Sequence, residues 1–140
     1  MDIEVIHGEN TIKAVGKEIK TTITWGVKVG DFIFPAGAAP FDENWETVGT
    51  TVGEQFERCL INIEAVLKDA GATLNDIVKM TKYVTTKVTV EEVYPEIAEV
   101  TKRYFKDGYF PPSTLVEVKS LMMPGQLIEI DVIAVRPTKS

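Results

Sequence analysis

Few groups in this 140-residue chain can do chemistry. His7 is the single histidine and Cys59 the single cysteine, so a Ser-His-Asp triad or a zinc site built on His and Cys would rest on one residue each. Carboxylates, hydroxyls and lysines remain. If Ser113 to Val118 is extended, alternation puts Ser113, Leu115 and Glu117 on one face and Thr114, Val116 and Val118 on the other. Ser113 and Glu117 then stand about 13 Å apart along the strand, a gap that a small substrate can bridge. With the single histidine, His7, far away in sequence and no other to activate it, Ser113 reads as a hydrogen-bonding group more readily than as a nucleophile. Glu129 and Asp131 share the polar face of a later strand and would become general acids if burial at an interface raised their pKa values. Lys82 interrupts an apolar strand face, where a lysine is either a snorkelling side chain or a ligand for an acidic substrate.

Composition narrows the partners. Fifteen Lys+Arg against 21 Asp+Glu give a net charge of −6, which argues against nucleic acid because phosphate binding needs clustered cations. No run of about 18 apolar residues occurs, so no membrane-spanning helix is expected. The acidic start, Met1-Asp2-Ile3-Glu4-Val5-Ile6-His7, predicts no secretory signal. A lone cysteine fits a reducing, cytoplasmic compartment. The ten glycines are scattered singly, with neither a phosphate-binding loop nor a dinucleotide fingerprint. The length suits one domain.

The elements that must position these groups follow from periodicity. Trp25 to Gly37 reads as two strands joined at Gly30-Asp31, and Ala38 to Gly49 as a loop. Val52, Phe56, Cys59, Leu60, Ile63, Val66, Leu67 and Ala70 recur every three or four residues, which predicts a helix. Thr51 with Glu54 supplies a capping box, and Gly71 marks the end. Cys59 falls on the buried stripe, as a small core hydrophobe. Ile77 to Thr85 predicts a strand, with Val78, Met80 and Val84 on one face and Lys79, Thr81 and Tyr83 on the other. A second helix is expected from about Tyr94 to Lys106, because Pro95 suits a first turn, with Glu91 and Glu92 as acids at its start. Pro111-Pro112 leads into the strand at Ser113, and Leu127 to Val135 is a strand whose Ile128, Ile130, Val132 and Ala134 form an apolar face. His7 is expected to be exposed near a mobile terminus, before a Gly8-Glu9-Asn10 turn.

The order β-β-α-β-α-β-β predicts an α+β layer with one mixed sheet and two helices on one face. The face carrying the acids, with Leu115, Leu127, Ile133 and Tyr83, should be left bare and covered by another copy of the chain.

On these residues the chain resembles the reactive-intermediate deaminase (RidA, or YjgF-like) family. The resemblance lies in Val27 to Gly37, in Gln55 to Gly71 with Asn62 inside, in Asp76 to Thr85, in Phe110 to Val118 and in Leu127 to Val135. It implies a chorismate-mutase-like fold and a homotrimer with an inner barrel, with small-molecule clefts between subunits. It also implies cofactor-free hydrolysis of an enamine or imine to ammonia and a keto acid, with no metal. Glu117 matches the family glutamate that orients the water, and the Gly37 and Ala38 loop matches the cleft lining. The family's substrate-gripping arginine corresponds to Ser113, and its aromatic hydroxyl to the segment Ile23, Thr24 and Trp25. A neutral hydroxyl does not replace a planar charged fork, so the expected substrate is altered, unless Lys82 or Arg103 supplies the cation.

Trp25, Phe41, Trp45, Tyr109 and Phe110 gather near the expected cleft rim, either as packing or as a pocket for a planar substrate. The resulting candidates are Glu117 and Ser113 for catalysis and Gly37, Ala38, Trp25, Tyr83 and Phe110 for substrate binding. The alternative is a trimer of the same fold that binds a small molecule without turnover.

Overall fold

The computed structural model describes residues 2–16 and 23–137. Its centre is the helix that the sequence marks most strongly. In α2 (Val52–Asp69), the Thr51 side chain accepts from the Glu54 amide and the Glu54 carboxylate returns to the Thr51 amide, so two orphan donors of the first turn are satisfied. Its apolar stripe, with Phe56, Cys59, Leu60, Ile63 and Leu67, is buried against the sheet. The last turn closes on Gly71 at φ +80°, a left-handed position that suits glycine.

The sheet has six strands in the order β1-β2-β3-β6-β4-β5. These are β1 (Glu4–Val5), β2 (Gly26–Val29), β3 (Phe32–Pro35), β4 (Ile77–Thr85), β5 (Ser113–Val118) and β6 (Ile128–Val135). β2 and β3 form the expected hairpin, with Gly30 at φ +60° in the turn. β6 lies centrally and antiparallel to both β3 and β4, while β4 and β5 run parallel, joined by α3 (Val90–Tyr104). Ile128, Ile130, Val132 and Ala134 are all buried beneath the helices, as the alternation predicts.

Four expectations are corrected. The chain has three helices among the described residues, not two, because α1 (Glu9–Val15) follows β1 near the start. His7 is exposed, but the residues after it form this helix, and Ile6 and Val15 are buried. Secondly, α3 begins at Val90, so Pro95 lies inside it. The Thr89 side chain caps the Glu92 amide at 3.3 Å, and Val93, Ile97 and Val100 are buried at helical spacing. That burial outweighs the one bond Pro95 cannot donate, whose acceptor, Glu91, lies in an exposed turn. Thirdly, a register shift between Ile77 and Lys79 turns Ile77 inward and leaves Val78 at 41 % exposure, so Val78 does not share the buried face of Met80 and Val84. Finally, Ser113 pairs with Met80, Leu115 with Lys82 and Glu117 with Val84. Paired residues point to the same side, so Ser113, Leu115 and Glu117 face the helical layer and not the bare face. Glu129 and Asp131, opposite Tyr83 and Thr81, do lie on the bare face.

α1 is fastened to the end of α2 through one carboxylate. Asp69 accepts from the Asn10 and Thr11 amides at 3.2 and 2.7 Å and from the Asn10 and Thr11 side chains at 2.8 and 2.6 Å. Arg58 holds the other end through the Ala14 carbonyl at 2.8 Å, and Trp45 Nε1 donates to the Val15 carbonyl at 3.1 Å. Burial alone would raise the Asp69 carboxyl, but the donors from Thr11 and Asn10 outweigh it and hold it below its ordinary value. Asp69→Ala is expected to cost about 2 kcal/mol, measured by denaturant unfolding. The carboxylate's contribution is full above about pH 4 and is lost as pH falls through the lowered folded value, so wild type and Asp69→Ala should converge in strong acid.

Candidate functional site

The cleft of interest lies between α3 and the β4–β5 edge. It measures about 390 Å³. Val93, Ile97, Ala98 and Thr101 of α3 form one wall, Phe110 and Leu115 the other, and Lys82 and Ser113 the floor, with Tyr94 and Lys102 also lining it. Thr101 directs its hydroxyl to the Ile97 carbonyl at 2.6 Å. The polar groups left to a ligand are therefore Lys82, Ser113, Lys102 and the Tyr94 hydroxyl.

Lys82 and Ser113 are in direct contact. Lys82 Nζ donates to Ser113 Oγ at 2.8 Å and stands 6.0 Å from the centre of the Phe56 ring. Among the described residues no carboxylate pairs with it. Burial holds its pKa below the ordinary lysine value. The neighbouring Lys79 points to the other face, where its Nζ donates to Thr114 Oγ1 at 2.8 Å. Arg103, the other cation considered, is held away from the cleft by Glu57 at 2.6 Å, and the Glu57 hydrogen bond raises its pKa.

The remaining candidates are dispersed. Phe110 lines the cleft and is 50 % exposed. Glu117 lies on the same face of β5 as Ser113, exposed and without a partner among the described residues, but it does not line the cleft. Trp25 is buried and packs against Phe41 and Trp45, with ring centroids 6.0 and 6.1 Å away. Packing, not a planar pocket, accounts for those aromatics, and Tyr109 also binds inward, donating to the Ile77 carbonyl at 2.6 Å. Gly37 and Ala38 lie beside Trp25, around a void of only about 10 Å³. Ala38 bridges Ile130 through two backbone bonds, and a Cβ on Gly37 would meet Glu129 Oε2 at 3.0 Å. Tyr83 is on the bare face opposite Glu129. Ser113 and Phe110 are thus brought together with Lys82, whereas Trp25, Gly37, Ala38, Tyr83 and Glu117 stand elsewhere in this chain.

Sequence reasoning puts Ile97, Ala98 and Thr101 on one stripe of this helix but does not assign that stripe to the site. The signal was present: Tyr94, Ile97, Ala98 and Thr101 sit at spacings of three and four, a stripe that continues past the core-facing Val93, Ile97 and Val100. Cys59 is fully buried, and burial, with Glu129 as the lesser cause, pushes its thiol well up, so it is inert. Among the described residues no cluster of three His, Cys, Asp or Glu could hold a metal ion, and no helix is long and apolar enough to cross a membrane.

A family model described as endoribonuclease L-PSP matches residues 17–136. The solved structure of YyfA from Yersinia pestis, described as a protein of unknown function of the conserved Rid family, superposes with a TM-score of 0.80 at 27 % identity, covering 96 % of this chain and 100 % of that one. This chain belongs to the RidA (YjgF-like) family. Within it, a RutC family protein of Pyrococcus abyssi is 38 % identical, over 94 % of this chain and 95 % of its own length. The 2-iminobutanoate/2-iminopropanoate deaminase of Salmonella typhimurium is 30 % identical, over 95 % of this chain and 98 % of its own.

In this RidA-family chain the half-buried, unpaired charge of Lys82 has a stability consequence. A lysine whose folded pKa is depressed opposes folding while it is charged in both states, and the penalty is relieved as pH rises from the lowered value to about 10.4. Lys82→Met is therefore expected to raise Tm at neutral pH, with the gain vanishing above about pH 10.4, as thermal unfolding across pH would show.

Proposed function

We propose that this chain is a cofactor-independent deaminase that hydrolyses small 2-imino or enamine acids to 2-oxo acids and ammonia. The family supports this reading, and so does the activity in the name of the relative from Salmonella typhimurium. The observation that carries it is the contact of Lys82 Nζ with Ser113 Oγ at 2.8 Å. The family resemblance calls for an arginine at position 113, and a basic group from the adjacent strand reaches that same place. A carboxylate drawn into the cleft meets the Lys102 side chain and the Ser113 hydroxyl with the Lys82 amine beside them, while the rest of the substrate lies against Val93, Ile97, Leu115 and Phe110. A lysine offers a point charge where arginine offers a fork, so the grip is less directional and the apolar walls contribute more to substrate choice.

The working unit in this reading is a homotrimer. Among the described residues β5 has a strand partner on one side only, and the face opposite the helices exposes Phe32 and Phe34 at 49 and 40 %. A second copy covers such a surface and completes the cleft. In this reading Glu117, exposed on the edge strand and outside its own chain's cleft, acts from there on a neighbouring copy's cleft as general acid/base. Gly37, Ala38 and Tyr83 would contribute to the cleft in the same way, from a neighbouring copy.

The direct test is ammonia and oxo-acid release from freshly generated 2-iminopropanoate and from an imino acid with a larger apolar side chain. Turnover is expected for both, and Glu117→Gln should lower kcat by about 100-fold or more with the trimer intact by light scattering. A monomer at micromolar concentration would remove the intersubunit cleft. Binding of imino or oxo acids without any ammonia release would favour the non-catalytic reading, for which the loss of arginine at position 113 is the specific argument.

A further inference from the structure

We propose that Lys82 is the nucleophile of this cleft, its Nζ forming a covalent imine with C2 of 2-imino and 2-oxo acids by displacing ammonia or water. The inference deepens the deaminase reading and rests on it.

Four observations carry it. Lys82 Nζ lies at the floor of an open cleft of about 390 Å³, where a small carbonyl compound can reach it. Its surroundings are mostly apolar: Val93, Ile97, Leu115 and Phe110 line the cleft, and the Phe56 ring is 6.0 Å away. Among the described residues it has no carboxylate partner, and an amine held charged by a carboxylate could not attack. Burial depresses its pKa, which favours the neutral, nucleophilic amine. An arginine could never serve this way because it does not lose its proton. Moving the basic group from position 113 to the adjacent strand therefore changes what it can do, beyond where it sits.

Ser113 and Lys102 complete the arrangement. The neutral Nζ attacks C2 of the imino acid, and the π electrons of the C=N bond pass to the substrate nitrogen, which takes up a proton. Ser113 Oγ, 2.8 Å from Nζ, is placed to receive the proton that Nζ gives up and to pass it on. The tetrahedral diamine then expels ammonia as the Nζ lone pair forms a new C=N bond to Lys82. Water adds to C2 and the lysine amine leaves, so the sum is imine plus water giving oxo acid plus ammonia, with Lys82 regenerated. The Lys102 ammonium on the α3 wall is left to pair with the substrate carboxylate. In reverse, a 2-oxo acid condenses with Lys82 and loses water to give the same linkage.

Borohydride tests this by delivering hydride to the carbon of a lysine imine and fixing it as a secondary amine. Full-length protein is incubated with pyruvate, and separately with phenylpyruvate, then treated with sodium borohydride and analysed by intact mass and peptide mapping. The expected product is one added oxo acid less one oxygen atom per chain, on Lys82. Lys82→Arg, which keeps the charge, should give no adduct and lose turnover of 2-iminopropanoate by about 100-fold or more while eluting like wild type. Ser113→Ala should still form the adduct, but more slowly. Adducts confined to other lysines or to the terminal amine overturn the proposal. So does a Lys82→Arg variant within a few-fold of wild-type turnover, in which case water attacks the imine directly and the deaminase reading stands alone. Trapping at Lys82 without ammonia release from any imino acid would instead retain the nucleophile and remove the deaminase reading.

Discussion

The apolar seam between α2 and the central strand β6 is the constraint on which the rest of the structure depends. Phe56, Leu60, Ile63 and Leu67 from the helix, and Ile128, Ile130, Val132 and Ala134 from the strand, are all buried. At about 25 cal/mol per Å² of apolar surface removed from water, such a seam is the main source of stability in a domain of this size. It also fixes α2 over the middle of the sheet, so α3 must lie toward the β4–β5 edge. The cleft is the space left between α3 and that edge.

Polar side chains pin the loops to the same seam. Gln55, fully buried on α2, donates to the Gly49 and Gly125 carbonyls at 3.1 and 2.9 Å and accepts from the Leu127 amide at 2.7 Å. Asn62, two turns further along the helix, donates to the Ala39 and Phe41 carbonyls at 3.0 and 2.9 Å. These bonds satisfy backbone groups that would be costly to bury alone, and they set where the chain enters β6 and leaves β3. In contrast, Lys82 is left with a hydroxyl and a ring for company. An uncompensated amine among apolar walls is unfavourable for folding, and that kind of cost is characteristic of functional sites.

Much of this was legible from spacing. The hairpin turn at Gly30, the capping box of Thr51 and Glu54, the buried stripe of α2 and the apolar row of β6 are local patterns with local causes, and each was read correctly. The proline rule alone starts α3 near Tyr94, whereas the Thr89 cap and the burial of Val93, Ile97 and Val100, which only packing makes decisive, carry it back to Val90. The Ile77–Lys79 irregularity was invisible because alternation assumes an unbroken ladder. α1 is short and owes its place to Asp69, 58 and 59 residues away, a partner that no local window contains.

For the site, the sequence by itself determined the inventory: one histidine, one cysteine, a serine where the family resemblance calls for arginine, and a lysine interrupting an apolar strand face. It could not determine which of these meet. Alternation tells which residues of one strand share a face, but not which face of the sheet the helices cover, because that depends on how separate strands are paired and on where α2 and α3 pack. Only the parallel register of β4 and β5, with Met80 beside Ser113 and Lys82 beside Leu115, turned Ser113 toward the helices and brought Lys82 Nζ to its hydroxyl. Residues 31 apart in sequence become neighbours by that register, and neighbours of that kind are a property of tertiary structure because nothing local in the chain links them.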